Sequence, residues 1–168
     1  MKKLFSTFLL LLASALQVSA QHPANQFPAA FKKLQALAGD WQGKDQMAME
    51  AKTNFKVVVA NTTVMETLSM PGGEEMLTLY TVDKDGIALV HYCPTNNQPR
   101  MRAVPEPGEI KDLDFQFTGA GNLPELSMGH EHRLVLRFED ENHITEEWTW
   151  RKNNKDTVTV YHFQRAGK

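Results

Sequence analysis

The sequence predicts an all-β protein, an antiparallel up-and-down barrel of about ten strands capped by one short N-terminal helix. Three observations predict this fold class. Short segments of alternating apolar and polar residues recur along the chain, turn signals separate them at intervals of about ten residues, and a single segment near the N-terminus has helical periodicity. Closing such a meander into a barrel pairs the strands that would otherwise be exposed edges.

The helix is predicted for residues 28–38, and the strands follow it. Pro28 suits the first turn of a helix and Gly39 suits its C-terminal end. Stretches rich in Pro, Gly, Asn and Asp mark the turns. The predicted strands are 41–50, 54–60, 62–70, 75–82, 86–93, 99–104, 109–118, 130–139, 142–151 and 156–165. The longest connection, 119–129, has a length that is often associated with function.

The N-terminal stretch has the features of a secretory signal peptide. Two lysines precede an apolar run over 4–16, and small residues lead up to a cleavage site after Ala20. We therefore expect a signal peptide over 1–20 and a mature protein that forms one barrel domain over 21–168. The protein is then exported, either to the periplasm or out of the cell.

The charge balance argues against a partner such as nucleic acid. The signal contains two of the 18 basic residues and none of the 20 acidic ones, which leaves a net charge of −4 for the mature chain. No basic run is present, and no second apolar segment is long enough to cross a membrane. Cys93 is the single cysteine, so the exported protein holds together without an internal disulfide.

Three pairs of polar residues are predicted to meet at one end of the barrel. The residues of each pair are two positions apart, so both side chains point to the same face of a strand. Strand direction alternates in an up-and-down barrel, which brings the end of the fifth strand and the starts of the sixth and eighth strands to one rim. The pairs are His91 with Cys93, Arg100 with Arg102, and His130 with His132.

Alternation predicts which side chains point inward. In the eighth strand His130 and His132 share the face of an apolar run, so we expect both histidines inside and Glu131 outside. The ninth strand points Trp148 and Trp150 inward by the same rule. The fifth strand is apolar on both faces, and the inward direction of its histidine is an inference from its position.

Four of these residues form a candidate metal site. Imidazole and thiolate groups are zinc ligands, and three histidines with an open position are typical of catalytic zinc. The candidate ligands are His91, Cys93, His130 and His132. In the alternative interpretation, one histidine points inward with a hydrogen-bond partner and the others are solvated at the rim.

Arg100 and Arg102 support a different interpretation, in which the rim binds an anionic group. Guanidinium groups bind carboxylates well, so an amphiphile could lie along the interior, beside Trp150, with its head at the arginines and histidines. In the alternative, Met101 points inward and both arginines pair with acidic residues such as Glu131 on the outer face.

Glu146 is predicted to point inward on the ninth strand. A buried carboxylate needs a partner, and the candidates are His143, His162 and Arg165. No Ser-His-Asp order, phosphate-binding glycine loop or pair of carboxylates can be picked out of the sequence. Nothing in it therefore requires an enzyme.

The step Gly39-Asp40-Trp41 after the helix resembles the Gly-x-Trp start of the lipocalin and fatty-acid-binding superfamily. In that superfamily an arginine at the end of the last strand packs over the tryptophan, and Arg165 occupies the matching place. The chain is also similar to small exported bacterial barrel proteins of unknown function. Its strand count is similar to that of nitrobindins, which carry haem on a histidine, although no one histidine here aligns with that ligand. The resemblance implies a ligand-binding barrel with a structural cation–π pair.

The sequence thus predicts an exported barrel that holds a small, partly apolar ligand in its interior, with an anionic head group as one option. The alternative is a metal or haem protein, catalytic or not, that uses His91, His130 and His132. A third interpretation is a domain whose outer face binds a partner. The sequence specifies no cofactor, and zinc and haem are the two candidates.

Overall fold

The fold is an all-β barrel with a short helix, as the sequence predicts. The computed structural model describes residues 28–106 and 108–167, and the predicted signal peptide lies outside the described residues. Within them the chain forms one helix and ten strands. The elements are α1 Ala29–Ala36, β1 Gly39–Asp45, β2 Glu50–Val58, β3 Thr63–Ser69, β4 Met76–Asp83, β5 Gly86–Tyr92, β6 Gln98–Ala103, β7 Asp112–Gly121, β8 His130–Phe138, β9 His143–Lys152 and β10 Lys155–Arg165.

The strands form a closed antiparallel barrel in sequence order. Each strand pairs with its neighbours in the chain, and β1 pairs with β10 to complete the circle. We call the end that carries α1 the helix end and the opposite end the loop end, where the connections after β1, β3, β5, β7 and β9 lie. The strand β5 finishes at the loop end, and β6 and β8 begin there. The common rim that strand direction predicts is therefore confirmed.

Most strand boundaries differ from the sequence prediction by one to five residues, and two of these differences move or shorten a connection. The strand β1 ends at Asp45, because its carboxylate accepts hydrogen bonds from the N–H groups of Met47 and Met49, each at 2.8 Å, and closes a tight turn. The strand β7 continues to Gly121, which shortens the long loop to 122–129. Neither difference changes the strand order or the end at which a connection lies.

The helix end is held together by Trp41 and Arg165. The indole N–H of Trp41 donates to the carbonyl of Leu37 at 2.8 Å, and the guanidinium of Arg165 lies 4.2 Å from the centre of the indole ring. Arg165 also donates to the carbonyls of Ala36 at 3.0 Å and Ala38 at 2.9 Å. These carbonyls have no partner within the helix, and a cation is favourable at a helix C-terminus. The predicted cation–π pair is confirmed, and it also caps α1.

Gly39 makes the close approach of Arg165 to the helix possible. Its φ of +128° lies in the range that residues with a side chain rarely adopt. A Cβ atom at this position would lie 3.2 Å from a guanidinium nitrogen of Arg165. The glycine therefore serves both the turn from α1 into β1 and the packing of the arginine.

Large apolar side chains fill the helix-end half of the interior. The helix contributes Phe31 and Leu34, which lie on its buried face. The strands contribute fully buried residues, among them Phe55, Tyr80, Ile87, Leu113, Phe115 and Phe163. Burial of this apolar surface is the main favourable contribution to folding. In the described part of the chain, no helix has the length and apolar character needed to span a membrane.

Replacing Arg165 tests the helix-end contacts. Arg165→Ala should lower the free energy of unfolding by about 2–4 kcal/mol, because charged hydrogen bonds to carbonyls and a cation–π contact are lost. Arg165→Lys should lose less, since the ammonium keeps the charge without the planar fork. Urea titrations measure both changes.

The matched control is Arg100→Ala, at an exposed position on the barrel wall, which should change the stability by less than about 0.5 kcal/mol. If Arg165→Ala were as mild as this control, the contacts at the helix end would have no structural role.

Candidate functional site

His91 points into the barrel near its loop end. It is 1% exposed, and Ile87 and Leu89, which share its face of β5, are also buried. Tyr92, on the opposite face, is 43% exposed. The inward direction that was inferred from position alone is therefore confirmed.

His91 has one polar partner and one unpaired nitrogen. Its Nδ1 lies 3.0 Å from the hydroxyl oxygen of Thr78 on β4, while its Nε2 is buried and finds no hydrogen-bond partner among the described residues. The ring packs on Trp148 with 4.8 Å between the ring centres. Burial lowers the pKa of His91 from 6.5 to about 4. The imidazole is thus neutral near pH 7, and Nε2 has an unfilled hydrogen-bonding position in either tautomer.

Glu66 on β3 and Glu146 on β9 form a buried pair of carboxyl groups. Both are 0% exposed, and they share a hydrogen bond. Thr53 and Tyr80 donate their hydroxyls to Glu66 at 2.9 and 2.6 Å. The indole N–H of Trp148 donates to Glu146 at 3.0 Å. Two carboxyls this close cannot both be ionised in an apolar interior.

Glu146 holds the proton of this pair. Burial, followed by the charge of Glu66, raises the pKa of Glu146 well above its usual range. No N–H or hydroxyl group of the described residues donates to its Oε1, which agrees with a protonated carboxyl group that donates to Glu66. Burial also raises the pKa of Glu66, but hydrogen bonds from Glu146, Tyr80 and Thr53 oppose that rise. Glu66 is therefore the ionised member.

The carboxyl pair and His91 belong to one connected ring of side chains. The Thr78 hydroxyl contacts His91 and also interacts with the Tyr80 hydroxyl. The Trp148 ring packs on His91 at a tilt of 46°, and its N–H donates to Glu146. We call this set the polar ring, and its members are His91, Thr78, Tyr80, Glu66, Glu146 and Trp148. It fixes the imidazole from two sides and leaves Nε2 facing the interior.

The expected partners of Glu146 are engaged elsewhere, so that expectation is wrong. The Nδ1 atom of His143 pairs with Asp140 at 2.8 Å, and the Nδ1 atom of His162 lies 3.0 Å from the Thr145 hydroxyl. Arg165 caps α1. The carboxyl pair joins β3 to β9, which are not neighbours in the sheet. A contact across the interior leaves no spacing signal in the sequence.

A β-bulge in β8 turns Glu131 into the interior. The register between β8 and β9 shifts between Glu131 and Arg133, so that Glu131 lies opposite Trp150 and His130 lies opposite Arg151. Directly opposite residues share a face of the sheet. The expectation that Glu131 lies outside is therefore wrong, because one extra residue changes the alternation. His130 is nevertheless buried, at 0% exposed, while His132 is half-buried.

One carboxyl oxygen of Glu131 is buried without a partner. No described residue donates a hydrogen bond to its Oε2, although the residue as a whole is only half-buried. Burial raises the pKa of Glu131 from 4.5 to about 7. Burial also raises the pKa of Tyr161 on β10 to about 12, with added contributions from the charges of Asp45, Glu131 and Glu146. A strongly shifted carboxyl that faces an interior is a sign of a functional site.

Trp150 and Asn97 complete this region. The Trp150 ring lies on the backbone of Gly129, where a Cβ atom would be 2.2 Å from a ring carbon. Asn97 donates its Nδ2 to the Gly129 carbonyl at 2.8 Å, and its Oδ1 is buried and unpaired within the described residues. We call His91, Asn97, Glu131, Trp148 and Trp150 the interior site.

His130 and His132 form a separate cluster. His132 lies 2.6 Å from Arg151 through Nε2 and 3.1 Å from Nε2 of His130 through Nδ1, and Nδ1 of His130 lies 2.8 Å from the Met128 carbonyl. Phe117 packs on both imidazole rings with 4.9 Å between centres. Arginine must donate and a carbonyl must accept, so both histidines are protonated at Nδ1. All four nitrogens are occupied.

Arg100 and Arg102 lie on the outer face of the barrel. Met101 between them is 1% exposed and fills the interior, while Arg100 is exposed. Arg102 forms ion pairs with Asp83 at 2.8 Å and with Asp85. The interpretation with an inward methionine is therefore the one that the structure supports, and the expectation of inward arginines is wrong.

The four proposed metal ligands do not come together. Cys93 is a half-buried free thiol at the start of the β5–β6 turn, and only His130 and His132 contact each other. Over residues 28–106 and 108–167, no three His, Cys, Asp or Glu side chains are grouped so that they could hold a metal ion.

A cleft of about 740 Å³ lies at the helix end, away from the interior site. It runs between α1, the segment before β7 and the turn after β8, and Ile110, Phe138 and Arg165 are among its lining residues. The arginine there is already bonded to helix carbonyls. None of the lining residues has an unpaired buried polar atom. The interior site is therefore the better candidate.

Comparisons with known proteins support the fold. No family model matches the sequence, and no curated protein matches it significantly. Among solved structures, the chain is similar to Rv2717c from M. tuberculosis, with a TM-score of 0.61 and 12% sequence identity over 84% of this chain and 99% of that chain. This likeness supports the closed ten-stranded antiparallel barrel.

Glu131 and His91 give stability opposite dependences on pH. Between pH 4.5 and about 7 the folded protein binds more protons at Glu131 than the unfolded chain does, so this contribution to stability falls as the pH rises. Between about pH 4 and 6.5 the unfolded chain binds more protons at His91, so that contribution falls as the pH falls. The two slopes oppose each other where their ranges overlap.

Glu131→Gln should remove the contribution of Glu131 to the pH dependence of stability and leave that of His91. Relative to the wild type, the free energy of unfolding of the variant should rise by about 3 kcal/mol from pH 4.5 to pH 7, because a destabilising ionisation has been removed. Urea titrations across this range measure the difference. Glu50→Gln, at an exposed position of the same barrel end, is the matched control. Parallel curves for Glu131→Gln and the wild type would place that carboxyl in solvent.

Substitutions of Glu146 test the assigned proton. Glu146→Gln keeps a donor toward Glu66 and an acceptor for Trp148, so it should cost no more than about 1.5 kcal/mol. Glu146→Ala removes both and leaves a cavity, so it should cost about 3 kcal/mol or more. Similar losses for the two variants, measured by chemical unfolding, would show that Glu146 is not the donor.

Proposed function

We propose that this protein is an exported barrel that binds a small, partly apolar molecule in the loop-end half of its interior. The observation that supports this most is the Nε2 atom of His91, which is buried and unpaired although Thr78 and Trp148 hold the imidazole in place. An unpaired buried polar group costs about 1–3 kcal/mol. A bound ligand would remove that cost.

The surroundings of His91 have the composition of a ligand site. Such sites are mostly apolar, with a few polar groups that fix the orientation of the ligand. Trp148 packs directly on the imidazole, and Trp150 lies two residues further along the same face of β9. Glu131 and Asn97 add two more unpaired polar atoms. The likeness of the Gly39–Trp41 step to lipocalins and fatty-acid-binding proteins, whose barrels hold ligands inside, supports the same proposal.

A haem protein is the second candidate, because one observation favours it. A neutral imidazole nitrogen that faces an apolar interior is the kind of group that binds haem iron, and Nε2 of His91 fits this description. Zinc has less support, since a zinc site needs three or four protein ligands and the interior site supplies a single free imidazole nitrogen.

The test is extraction and mass spectrometry of small molecules that co-purify with the mature protein. The wild type and His143→Ala, which alters a surface histidine, should carry the same molecule. His91→Leu should fold and retain at least about tenfold less of it, because the polar contact is lost. A visible absorption spectrum of the same samples identifies haem.

Equal amounts of the molecule in His91→Leu and in the wild type would contradict the proposed site. Purified wild type that carries neither a small molecule nor haem, and that binds none of a set of aromatic probes, would contradict the proposed function itself.

A further inference from the structure

The interior of the barrel is rich in acidic groups. Buried side chains include Asp45, Glu66 and Glu146, and the Glu131 carboxyl is buried as well. Throughout the described residues, no lysine or arginine is buried. Arg100 is exposed, and Arg165 is bonded to helix carbonyls. The other arginines of the described residues are paired with acids, namely Arg102, Arg133, Arg137 and Arg151. An anionic ligand would meet no cation here, and like charges would disfavour it.

The acid that lacks a partner is Glu131. Glu66 has three donors, and Glu146 carries a proton that it gives to Glu66. Asp45 is bonded to two backbone N–H groups. Glu131 alone among the four has an oxygen that is buried with no donor and no neighbouring carboxyl to share a proton with. A buried carboxylate needs a counter-ion and hydrogen-bond donors.

The groups around Glu131 suit a cation that carries an apolar group. Trp150 lies directly opposite it in the register of β8 and β9, and Trp148 is on the same face of β9. Indole faces attract cations through their ring electrons. Asn97 has its Nδ2 on the Gly129 carbonyl, so its free Oδ1 is an acceptor. An unpaired carboxylate and a free acceptor beside aromatic faces favour a ligand that carries a positive charge and hydrogen-bond donors.

We propose that the ligand of the interior site is a small amine with an aromatic or aliphatic body, whose ammonium group binds the Glu131 carboxylate and whose body packs on Trp148 and Trp150. This inference rests on the proposed function, because it names the chemical class that the interior site takes. It also replaces the anionic head group that the arginines suggested at the level of sequence.

The experiment compares three probes that share a phenyl ring: benzylamine, benzyl alcohol and benzoate. Binding to the mature protein is measured by isothermal titration calorimetry and by ligand-observed NMR at pH 8, where Glu131 with its pKa of about 7 is mostly ionised. Benzylamine should bind at least about tenfold more tightly than the other two. Glu131→Gln should remove this preference, and Glu50→Gln should retain it.

Benzyl alcohol controls for the integrity of the site. It should bind Glu131→Gln as it binds the wild type, which shows that the variant folds with the site intact. Equal binding of the three probes, or a preference for benzoate, would overturn the amine and leave the proposed interior site in place. A preference for benzylamine that persists in Glu131→Gln would overturn the role of that carboxylate. Failure of all three probes to bind would overturn the interior site together with this inference.

Discussion

The pairing of β1 with β10 is the constraint on which the rest of the structure depends. It turns a meander with two exposed edges into a closed wall, and only a closed wall gives every inward side chain an interior to face. Trp41 and Arg165 lie opposite each other in this pairing and also bind the C-terminal end of α1. The same pair of strands therefore closes the barrel and caps the C-terminal end of α1.

Closure also explains why the interior can hold polar groups. Burying an unpaired carboxyl or imidazole inside an apolar barrel lowers stability. The polar ring reduces this loss of free energy, because it joins acids, hydroxyls, an indole and an imidazole by hydrogen bonds and ring contacts. Within the ring, Nε2 of His91 has no partner, and Glu131 and Asn97 add unpaired atoms at the same end of the barrel. Proteins tolerate such atoms chiefly where a ligand or water completes the bonding. The loop-end half of the interior thus differs from the apolar helix-end half in chemistry as well as in position.

The sequence predicted the barrel and its common rim because alternation and turn chemistry are local properties. It predicted the end of the barrel at which His91 lies, because position in the meander determines which end of a strand lies at which rim. The inward face of His91 could only be inferred, since its strand is apolar on both faces. It misplaced Glu131 and His132, since a β-bulge adds one residue without a clear local signal and reverses every face before it. It also missed the pairing of Glu66 with Glu146, because strands that face each other across an interior share no spacing in the chain. The outward arginines were recognisable as an alternative from the apolar Met101 between them.

The central claim is that the bulge in β8 places the Glu131 carboxyl inside the barrel at the end where His91 lies. A high-resolution crystal structure of the wild-type protein, purified without denaturation, tests it most directly. The account predicts Glu131 opposite Trp150 with its carboxyl inside, and electron density for a bound molecule or ordered water at the unpaired oxygen and at Nε2 of His91. A continuous β8 without the bulge, with Glu131 outside in an ion pair with a surface arginine, would contradict it.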